Sequence, residues 1–301
     1  MINDTLSQGL SALANRGVAG DASTQASGSI SRSRETRKRG RCGVYALKPW
    51  SVREFPDVTV LSGARVSASQ GEYVARAVGR VLAHHEIAGG ARVRLKTGPC
   101  GRGPMVVQVN LRVGEFPARV HAVTSGLDDL TPALLRLDRH IVRMYEQWRP
   151  RPWPDPTRRL MTIAGDAVVV RRKSVVVQCS TPLEAVAVMD AMDYDAHLFT
   201  DVETGEDAVV YRAGPSGLRL ARQRHVYPPG WASSSSYSGL TVPLIVNSRQ
   251  TICLTEEAAV RRAHQHRPNL LFFTESATGR GNLLYPRYDG NLGLITPLPR
   301  V

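Results

Sequence analysis

The chain has 301 residues, 42% of them hydrophobic, and a formal net charge of +13 at pH 7. This length allows two or three domains of ordinary size. No apolar run approaches the roughly 18 residues that a membrane-spanning helix needs, so we expect a cytoplasmic protein without membrane contact. The four cysteines form no C-x-x-C pair, and we predict reduced thiols with no metal site and no cofactor.

The positive charge lies in the first half of the chain. The net charge is −1 in residues 1–30, +6 in residues 31–54, +7 in residues 55–160 and +1 in residues 161–301. A basic region beside a neutral one indicates that the first part meets a polyanion and the second meets protein. We therefore expect nucleic acid as the partner of the first half.

Residues 1–54 are predicted to form a disordered, basic N-terminal arm. They hold few large apolar side chains, so burial cannot offset the entropy of ordering them. Basic residues cluster between Arg32 and Arg41. This end of the arm is either a polyanion-binding segment or a solvated tail.

Residues 55–147 show the pattern of an α+β domain in the order β-α-β-β-β-α. A capping box of Ser69 and Glu72 is predicted to open the first helix, with Tyr73 leading its apolar face. Asp128 is predicted to cap the second helix. The alternating apolar residues of the strands need cover, so we expect a sheet with both helices on one face.

The basic residues of this domain fall on the outward faces of the two helices and on one face of the strands. Like charges four residues apart weaken an isolated helix slightly, and a phosphate backbone would relieve that repulsion. The predicted RNA-binding residues are Arg76, Arg80, Arg92, Arg94, Lys96, Arg112, Arg119, Arg136, Arg139, His140 and Arg143.

A proline-rich segment, residues 148–160, is predicted to be an extended linker, and the sequence after it repeats itself. A shift of 74 residues, without a gap, gives identical residues at twelve of 47 aligned positions, among them Phe199 with Phe273 and Tyr211 with Tyr285. Such a repeat predicts a duplicated domain. The predicted units are two tandem small β-rich α+β domains, residues 161–221 and 243–301, joined by a linker at residues 222–242.

Each repeat is predicted to contain strands, a short helix and a hairpin. Thr181 and Glu184 form a capping box at the start of the first helix, and Thr255 takes the cap position in the second copy. Cys179 and Cys253 occupy the same position in apolar strand contexts. We therefore predict that both cysteines are buried as small apolar side chains.

Signature residues recur in the two repeats. The first repeat carries Phe199, then Thr204-Gly205, then V-V-Y-R ending at Arg212, and the second carries F-F, T-G and D-G-N-L-G-L-I ending at Ile295. A basic β-α-β-β-β-α domain, a linker and such a unit resemble the long-form ribosome hibernation-promoting factors, or sigma-54 modulation protein family. The resemblance covers about residues 56 to 297, and the duplicated C-terminal domain departs from the family pattern.

The resemblance implies a partner and an activity. The first domain is expected to bind the small ribosomal subunit, its RNA and proteins, in the channel used by mRNA and tRNA. There it would inhibit translation and stabilise idle ribosomes. Arg80 matches a family position that contacts ribosomal RNA on the first helix, and Arg139, His140 and Arg143 match positions on the second. No catalytic constellation is found, so we do not expect an enzyme.

The duplicated domain raises the question of how its copies pair. In the family this domain usually pairs with its twin on another ribosome, but a tether raises the effective concentration of two copies on one chain to the order of millimolar. Our hypothesis is a closed internal pseudo-dimer that keeps ribosomes undimerised. Its predicted pairing residues are Phe199, Tyr211, Phe273 and Tyr285. The alternatives are a homodimer through the repeats, or a ribosomal contact of the second copy through Arg261, Arg262, His264, His266 and Arg267.

Two other classes of function stay open. The chain could be a general nucleic-acid-binding regulator, or a protein-interaction adaptor that acts through its repeats. The Gly-rich loop at residues 98–103 does not open a helix, so phosphate cradling is not predicted. His264 and His266 point in two directions on a helix and lack Cys or carboxylate partners, so a metal site is not predicted there. The pair His84-His85 is predicted to end a helix rather than to act in catalysis.

Overall fold

The protein is a mixed α+β chain with four helices and three sheets among the described residues. The structure, a computed structural model, describes residues 56–62, 66–97, 104–155, 161–213, 217–228, 232–237 and 240–299. The predicted arm of residues 1–54 and the Gly-rich loop at residues 98–103 lie outside the described residues. Fold class and element order agree with the prediction from the sequence.

The first domain is a four-stranded sheet with two helices. Its strand order is β1-β2-β3-β4, with β1 and β2 parallel and the other pairs antiparallel. Its elements are β1 (Val58–Leu61), α1 (Ala68–His84), β2 (Ala91–Thr97), β3 (Met105–Val113), β4 (Phe116–Thr124) and α2 (Thr131–Tyr145).

Both helices cover the same face of this sheet. Val78 and Leu82 of α1 and Leu137 of α2 are buried in one cluster with Val107 and Val109 of β3. The residues that alternate with these along the strands point to the opposite face, because side chains on a strand alternate in direction. No helix within the described ranges covers that opposite face, which carries the polar and basic side chains.

The starts of both helices differ from the prediction. The capping box of α1 uses Ser67 and Gln70, two residues before the predicted pair of Ser69 and Glu72. Tyr73 is 51% exposed, and the apolar face is led by the next residue, Val74. Ser67 and Ser69 both offer a hydroxyl close to the start of the helix, and Ser67 is the one that caps it.

The second helix has no side-chain cap. Leu130 occupies the cap position, and the Asp129 carboxylate accepts a hydrogen bond from the backbone N–H of Thr131 at 3.1 Å. The predicted cap at Asp128 is wrong by two positions. Pro132 at the start of the helix needs no capping partner, since it lacks an N–H.

The second half of the chain holds the two repeats. The first repeat begins with β5 (Val169–Val175), β6 (Cys179–Ser180), α3 (Pro182–Ala191), β7 (Ala196–Asp201), β8 (Asp207–Tyr211) and β9 (Arg219–Arg222). The chain continues through β10 (Ala232–Tyr237) and β11 (Leu240–Val246) into β12 (Cys253–Leu254), α4 (Glu256–His266), β13 (Leu271–Glu275), β14 (Gly281–Pro286) and β15 (Leu292–Pro297). The segment at residues 222–242, predicted as a linker, therefore contains β10 and the start of β11.

The two repeats exchange their first strands. Strand β5 pairs in parallel with β15 of the second repeat, and β11 pairs in parallel with β9 of the first. The registers are equivalent: Arg171 lies opposite Gly293, and Ile245 lies opposite Arg219, which is the same pairing shifted by 74 residues. The sheet orders are β10-β11-β9-β8-β7-β6 and β12-β13-β14-β15-β5. Each sheet is thus completed by a strand from the other half of the duplication.

A mixed apolar cluster joins the sheets. Leu198 and Val209 of the first repeat pack there with Phe272 and Leu283 of the second, which are their equivalents in the 74-residue register. Opposite this cluster, the buried carboxylate of Asp207 accepts a hydrogen bond from Nε of Arg280 at 2.7 Å. The two sheets therefore meet along a pseudo-twofold contact.

The predicted pairing residues Phe199 and Phe273 need correction. Both are fully buried, but each lies in the core of its own repeat under its own helix. Their neighbours Leu198 and Phe272 make the contact between the sheets. A displacement of one residue along a strand reverses the face, so repeat alignment alone cannot tell which of two adjacent apolar residues faces the partner sheet.

The other two pairing candidates lie near the contact between sheets. Tyr211 packs at the edge of the mixed cluster, and its hydroxyl donates to Oδ1 of Asn247 at 3.1 Å. The Tyr285 ring lies beneath the Lys173 ammonium, which is 5.8 Å from the ring centroid. The prediction for the cysteines is wrong: Cys179 and Cys253 are both exposed, because β6 and β12 are edge strands.

Candidate nucleic-acid interface

The uncovered face of the first sheet is a basic surface. Arg92, Arg94 and Lys96 alternate along β2 and point to this face. On the neighbouring strands, Asn110 lies opposite Arg92 and Arg119 lies opposite Asn110. The Asn110 amide oxygen accepts from Nε of Arg119 at 2.7 Å, which fixes that guanidinium on the sheet. This face can meet phosphate oxygens across three strands.

A second group of predicted RNA-binding residues is exposed on the helices. Arg80 of α1 and Arg139 of α2 are exposed. Arg76 is also exposed and lies 3.5 Å from the Glu72 carboxylate one turn earlier, a surface pair that contributes little. Arg112 lies in the hairpin and donates to the backbone oxygen of Glu115 at 2.6 Å. These guanidinium groups are accessible to a polyanion.

The remaining face of α2 docks on the first repeat. Nη2 of Arg136 donates to Oδ1 of Asp193 at 2.8 Å, and Nη1 donates to Oδ2 of Asp155 at 3.0 Å. Burial alone would lower the pKa of Arg136, but the carboxylates of Asp193 and Asp155 raise it. Arg136 was predicted to face RNA, and in this structure its guanidinium is instead enclosed by carboxylates.

Asp193 is the centre of this docking interface, which we define as the contacts of α2 and β4 with residues 190–194. Its carboxylate accepts from Arg136, from Arg151 of the proline-rich segment and from the backbone N–H of His121 at 2.7 Å. Arg119 adds a hydrogen bond to the Tyr194 hydroxyl at 3.0 Å. Three parts of the chain thus converge on one buried acidic side chain.

His140 is part of the same docking interface. The imidazole is 4% exposed, and its Nε2–H donates to the backbone oxygen of Ala191 at 3.0 Å. Burial lowers the pKa of His140 to about 4, because a charged imidazole would lose its hydration there and would lie near Arg151. This residue is therefore neutral at pH 7 in the docked arrangement, and it does not face solvent as predicted.

The proline-rich segment is held against the first repeat. The Arg151 guanidinium is buried and donates to the backbone oxygen of Asp190 at 3.0 Å, and Arg212 binds the Asp190 carboxylate. Arg143 of α2 is half-buried close by, and burial together with Arg151 lowers its pKa. The predicted linker is thus a structural part of the interface at residues 148–155, while residues 156–160 lie outside the described residues.

The positive charge of the first domain continues onto the sheet of the second repeat, which includes β5. A cavity of about 390 Å³ lies where the first domain meets both repeats, and it is lined by His121, Lys173, Tyr194, His197, Tyr285 and Tyr288 among others. Burial and the neighbouring Arg171 lower the pKa of Lys173 to about 8. Burial and Arg287 likewise lower the pKa of Lys96. The basic surface therefore crosses the domain boundary.

One group of ligand-type side chains lies between the two helices of the first domain. Among the described residues, ligating atoms of His84, His85 and Asp138 come within 4.8 Å of one another. Nε2 of His85 lies 2.8 Å from Oδ1 of Asp138 in a hydrogen bond that joins α1 to α2. We assign this group to helix packing, because two of its three ligating atoms already bind each other.

The helix of the second repeat presents a separate basic surface. Arg261, His266 and Arg267 are exposed on or beside α4. Arg262 is half-buried, and Nε2 of His264 lies 2.7 Å from the backbone oxygen of Ala167. The structure therefore places three of these five side chains where a partner can reach them.

Sequence reasoning missed the acidic half of the docking interface. Asp190 and Asp193 carry no motif, and they were counted only within a neutral region. A signal was present in the repeat register, because the equivalent positions in the second copy are His264 and Arg267. The opposite charges of Asp193 and Arg267 at equivalent positions mark surfaces that differ between the two copies.

No helix in the described part of the chain combines the length and apolar character needed to cross a membrane.

Comparison with known proteins places these observations in a family. Residues 165–220 match the family model described as "Sigma 54 modulation/S30EA ribosomal protein C terminus". The chain is also 64% identical, over 260 residues, to proteins named "Dormancy associated translation inhibitor" from two strains of Mycobacterium tuberculosis. Each match covers 86% of this chain and 95% of the relative.

Proposed function

The chain belongs to the ribosome hibernation and sigma-54 modulation family, and we propose that it inhibits translation by binding the small ribosomal subunit. The observation that carries the proposal is the 64% identity, over nearly the whole relative, to proteins named translation inhibitors. It acts by occupying a site rather than by catalysis. Its partner is the ribosome, and its effect is to hold idle ribosomes out of translation.

The first domain supplies the binding energy. Exposed guanidinium groups on α1, on α2 and on the uncovered sheet face bind phosphate oxygens of folded RNA, with release of counterions. RNA helices are recognised mainly by shape and by backbone contacts, which suits a rigid sheet whose exposed charges are fixed by neighbours, as Arg112 is by Glu115. A domain bound in this way in the channel used by mRNA and tRNA excludes both.

The repeats hold ribosomes singly in this proposal. The exchange of β5 and β11 supports it, because these strands pair with β15 and β9 within the chain, so those two strands are not open to a strand from a second molecule. The apolar contact around Leu198 and Phe272 is likewise made internally. Purified protein should therefore cosediment with single ribosomes. Quantitative conversion of ribosomes into dimers would contradict this part of the proposal.

Charge reversal tests the binding surface. Arg80→Glu with Arg139→Glu changes two exposed residues without disturbing a buried pair, and we expect affinity for small subunits to fall about 100-fold at moderate salt. Arg249→Glu in an exposed loop of the second repeat is the matched control and should bind normally. Binding is measured by cosedimentation, and inhibition by translation in a cell-free extract.

The same variants separate the other classes of function. A general nucleic-acid-binding regulator would bind unrelated RNA as well as it binds subunits, and both affinities would fall steeply with salt. An adaptor acting through the repeats would keep its ribosome association when Arg80 and Arg139 are reversed. Either result would overturn the proposal.

A further inference from the structure

We infer that the first repeat binds α2 in place of ribosomal RNA, so that the free protein is held in a docked, autoinhibited state. The inference rests on the proposed function, because it concerns the access of RNA to one of the proposed binding helices. It adds a second partner for that helix, the buried carboxylate of Asp193. RNA and this carboxylate compete for the same face.

The overlap is visible on α2 itself. Arg136, His140 and Arg143 lie on one side of the helix at spacings of four and three residues. Arg136 and His140 are buried against the first repeat, and Arg143 is half-buried beside them. Arg139 points elsewhere and is exposed. RNA can reach Arg139 in the docked state, but it cannot reach the Arg136 side of the helix.

The carboxylates take the place that phosphates would occupy. Asp193 binds Arg136 through two nitrogen atoms, Nε at 3.3 Å and Nη2 at 2.8 Å, and Asp155 binds the third at 3.0 Å. Two-pronged contacts of this kind are also how guanidinium groups bind phosphate. The Asp193 side chain is 2% exposed and the Arg136 side chain 9% exposed, so water does not screen the pair.

The second repeat shows that this carboxylate is specific to the first. At the position equivalent to Asp193 it carries Arg267, and the backbone of both residues has the same left-handed conformation, with φ of 51° and 45°. The backbone scaffold is therefore retained while the charge is opposite. Only the first copy can bind a basic helix.

Opening the docking interface should raise the affinity for ribosomes. A protein whose binding-competent state is a minor population binds with an affinity reduced by that fraction. Loss of one partner from a buried ion pair strongly disfavours the arrangement that buries it. Weakening the docked state therefore increases the fraction of molecules in which α2 is free.

The test uses Asp193→Asn in the full-length protein. Asparagine has the same size and tolerates the left-handed backbone of this position, so the variant removes charge with little change in shape. We expect binding to purified small subunits, measured by fluorescence anisotropy at fixed salt, to become about tenfold tighter. Asp155→Asn, outside the repeat, should tighten binding by a smaller factor. Asp166→Asn makes the same change of charge in an exposed turn and should have no effect.

A second measurement uses the free protein without ribosomes. Hydrogen exchange of the backbone amides in the last two turns of α2 should be faster in Asp193→Asn than in the control Asp166→Asn. If Asp193→Asn and Asp155→Asn bind subunits no more tightly than the control, the inference is wrong. If no form of the protein binds subunits, the proposed function fails instead. In that case unchanged hydrogen exchange in Asp193→Asn would separately rule out the docking role of this carboxylate.

Discussion

The helices of the two repeats occupy equivalent places and have opposite surroundings. Every residue of α3 except Glu184 is buried, whereas α4 has only Ala259 and Ala263 buried. Helix α3 lies between its own sheet, the first domain and the proline-rich segment. Helix α4 covers only its own sheet and leaves a charged surface in solvent.

The comparison shows that two copies of one fold present different outer surfaces. Ala187 and Val188 of α3 pack against Trp148 of the proline-rich segment, and the equivalent residues of α4 are Arg261 and Arg262. The apolar positions under each helix are kept, because both helices still cover a sheet. The outer positions decide what the helix contacts, so they changed without changing the fold.

The largest expected effect is a loss of stability when the equivalent buried Phe is removed from the core of either repeat. Phe199→Ala or Phe273→Ala removes a fully buried ring and should cost about 3–5 kcal/mol of unfolding free energy. Because the exchanged strands tie the sheets together, either variant should lower the stability of both repeats in one transition. Urea unfolding followed by circular dichroism measures this. Two separate transitions, with only one of them moved, would contradict the shared unit.

The next largest effect is a loss of stability when a residue of α3 is replaced by the residue at the equivalent position of α4. Ala187→Arg places in α3 the residue that α4 carries at the equivalent position, and we expect a loss of at least about 2 kcal/mol. The reason is that position 187 is 2% exposed against the proline-rich segment. Arg261→Ala on the exposed face of α4 should change stability by less than about 0.5 kcal/mol. Equal losses in urea unfolding would contradict the difference between the helices.

The smallest effect is a pH dependence of the docked state. His140 has a pKa of about 4 when docked, below the ordinary value of 6.5, so the open form takes up a proton first as the pH falls. Above pH 6.5 the imidazole is neutral in both forms and imposes no cost. Between pH 6.5 and 4 the docked state loses roughly 1.4 kcal/mol per pH unit.

Hydrogen exchange in α2, corrected for the intrinsic pH effect, measures this loss between pH 7.5 and 5.5. His140→Gln retains a donor for the Ala191 oxygen and removes the titration, so its exchange should be insensitive to pH in this range. A pH dependence that persists in His140→Gln would contradict the assignment of the effect to His140.

The fold could be predicted from the sequence wherever a single pattern had only one interpretation. Apolar alternation and turn residues gave the first domain and the hairpins of the repeats, and the 74-residue register gave the duplication. The prediction failed where neighbouring residues offered similar choices. Ser67 and Ser69 compete as caps, and Phe199 and Leu198 are both apolar on one strand, so the tertiary partner selects between them.

The docking interface could not be predicted from local patterns. An arginine on the polar face of α2 reads as solvent-exposed, and its partner Asp193 lies 57 residues away in a region with balanced charge. A basic side chain can bind an anionic group of RNA or a carboxylate of the same chain. The sequence therefore indicated the chemistry of the ligand, and the choice of ligand depends on the fold.

The exchange of strands also fixes an order of events during synthesis. Strand β5 emerges early, but its partner β15 is made only after β6 to β14 have followed, and the first repeat must wait for β11 to complete its sheet. Contacts so distant along the chain form late. A protein built in this way reaches its finished form only once the ribosome that makes it has almost completed the chain.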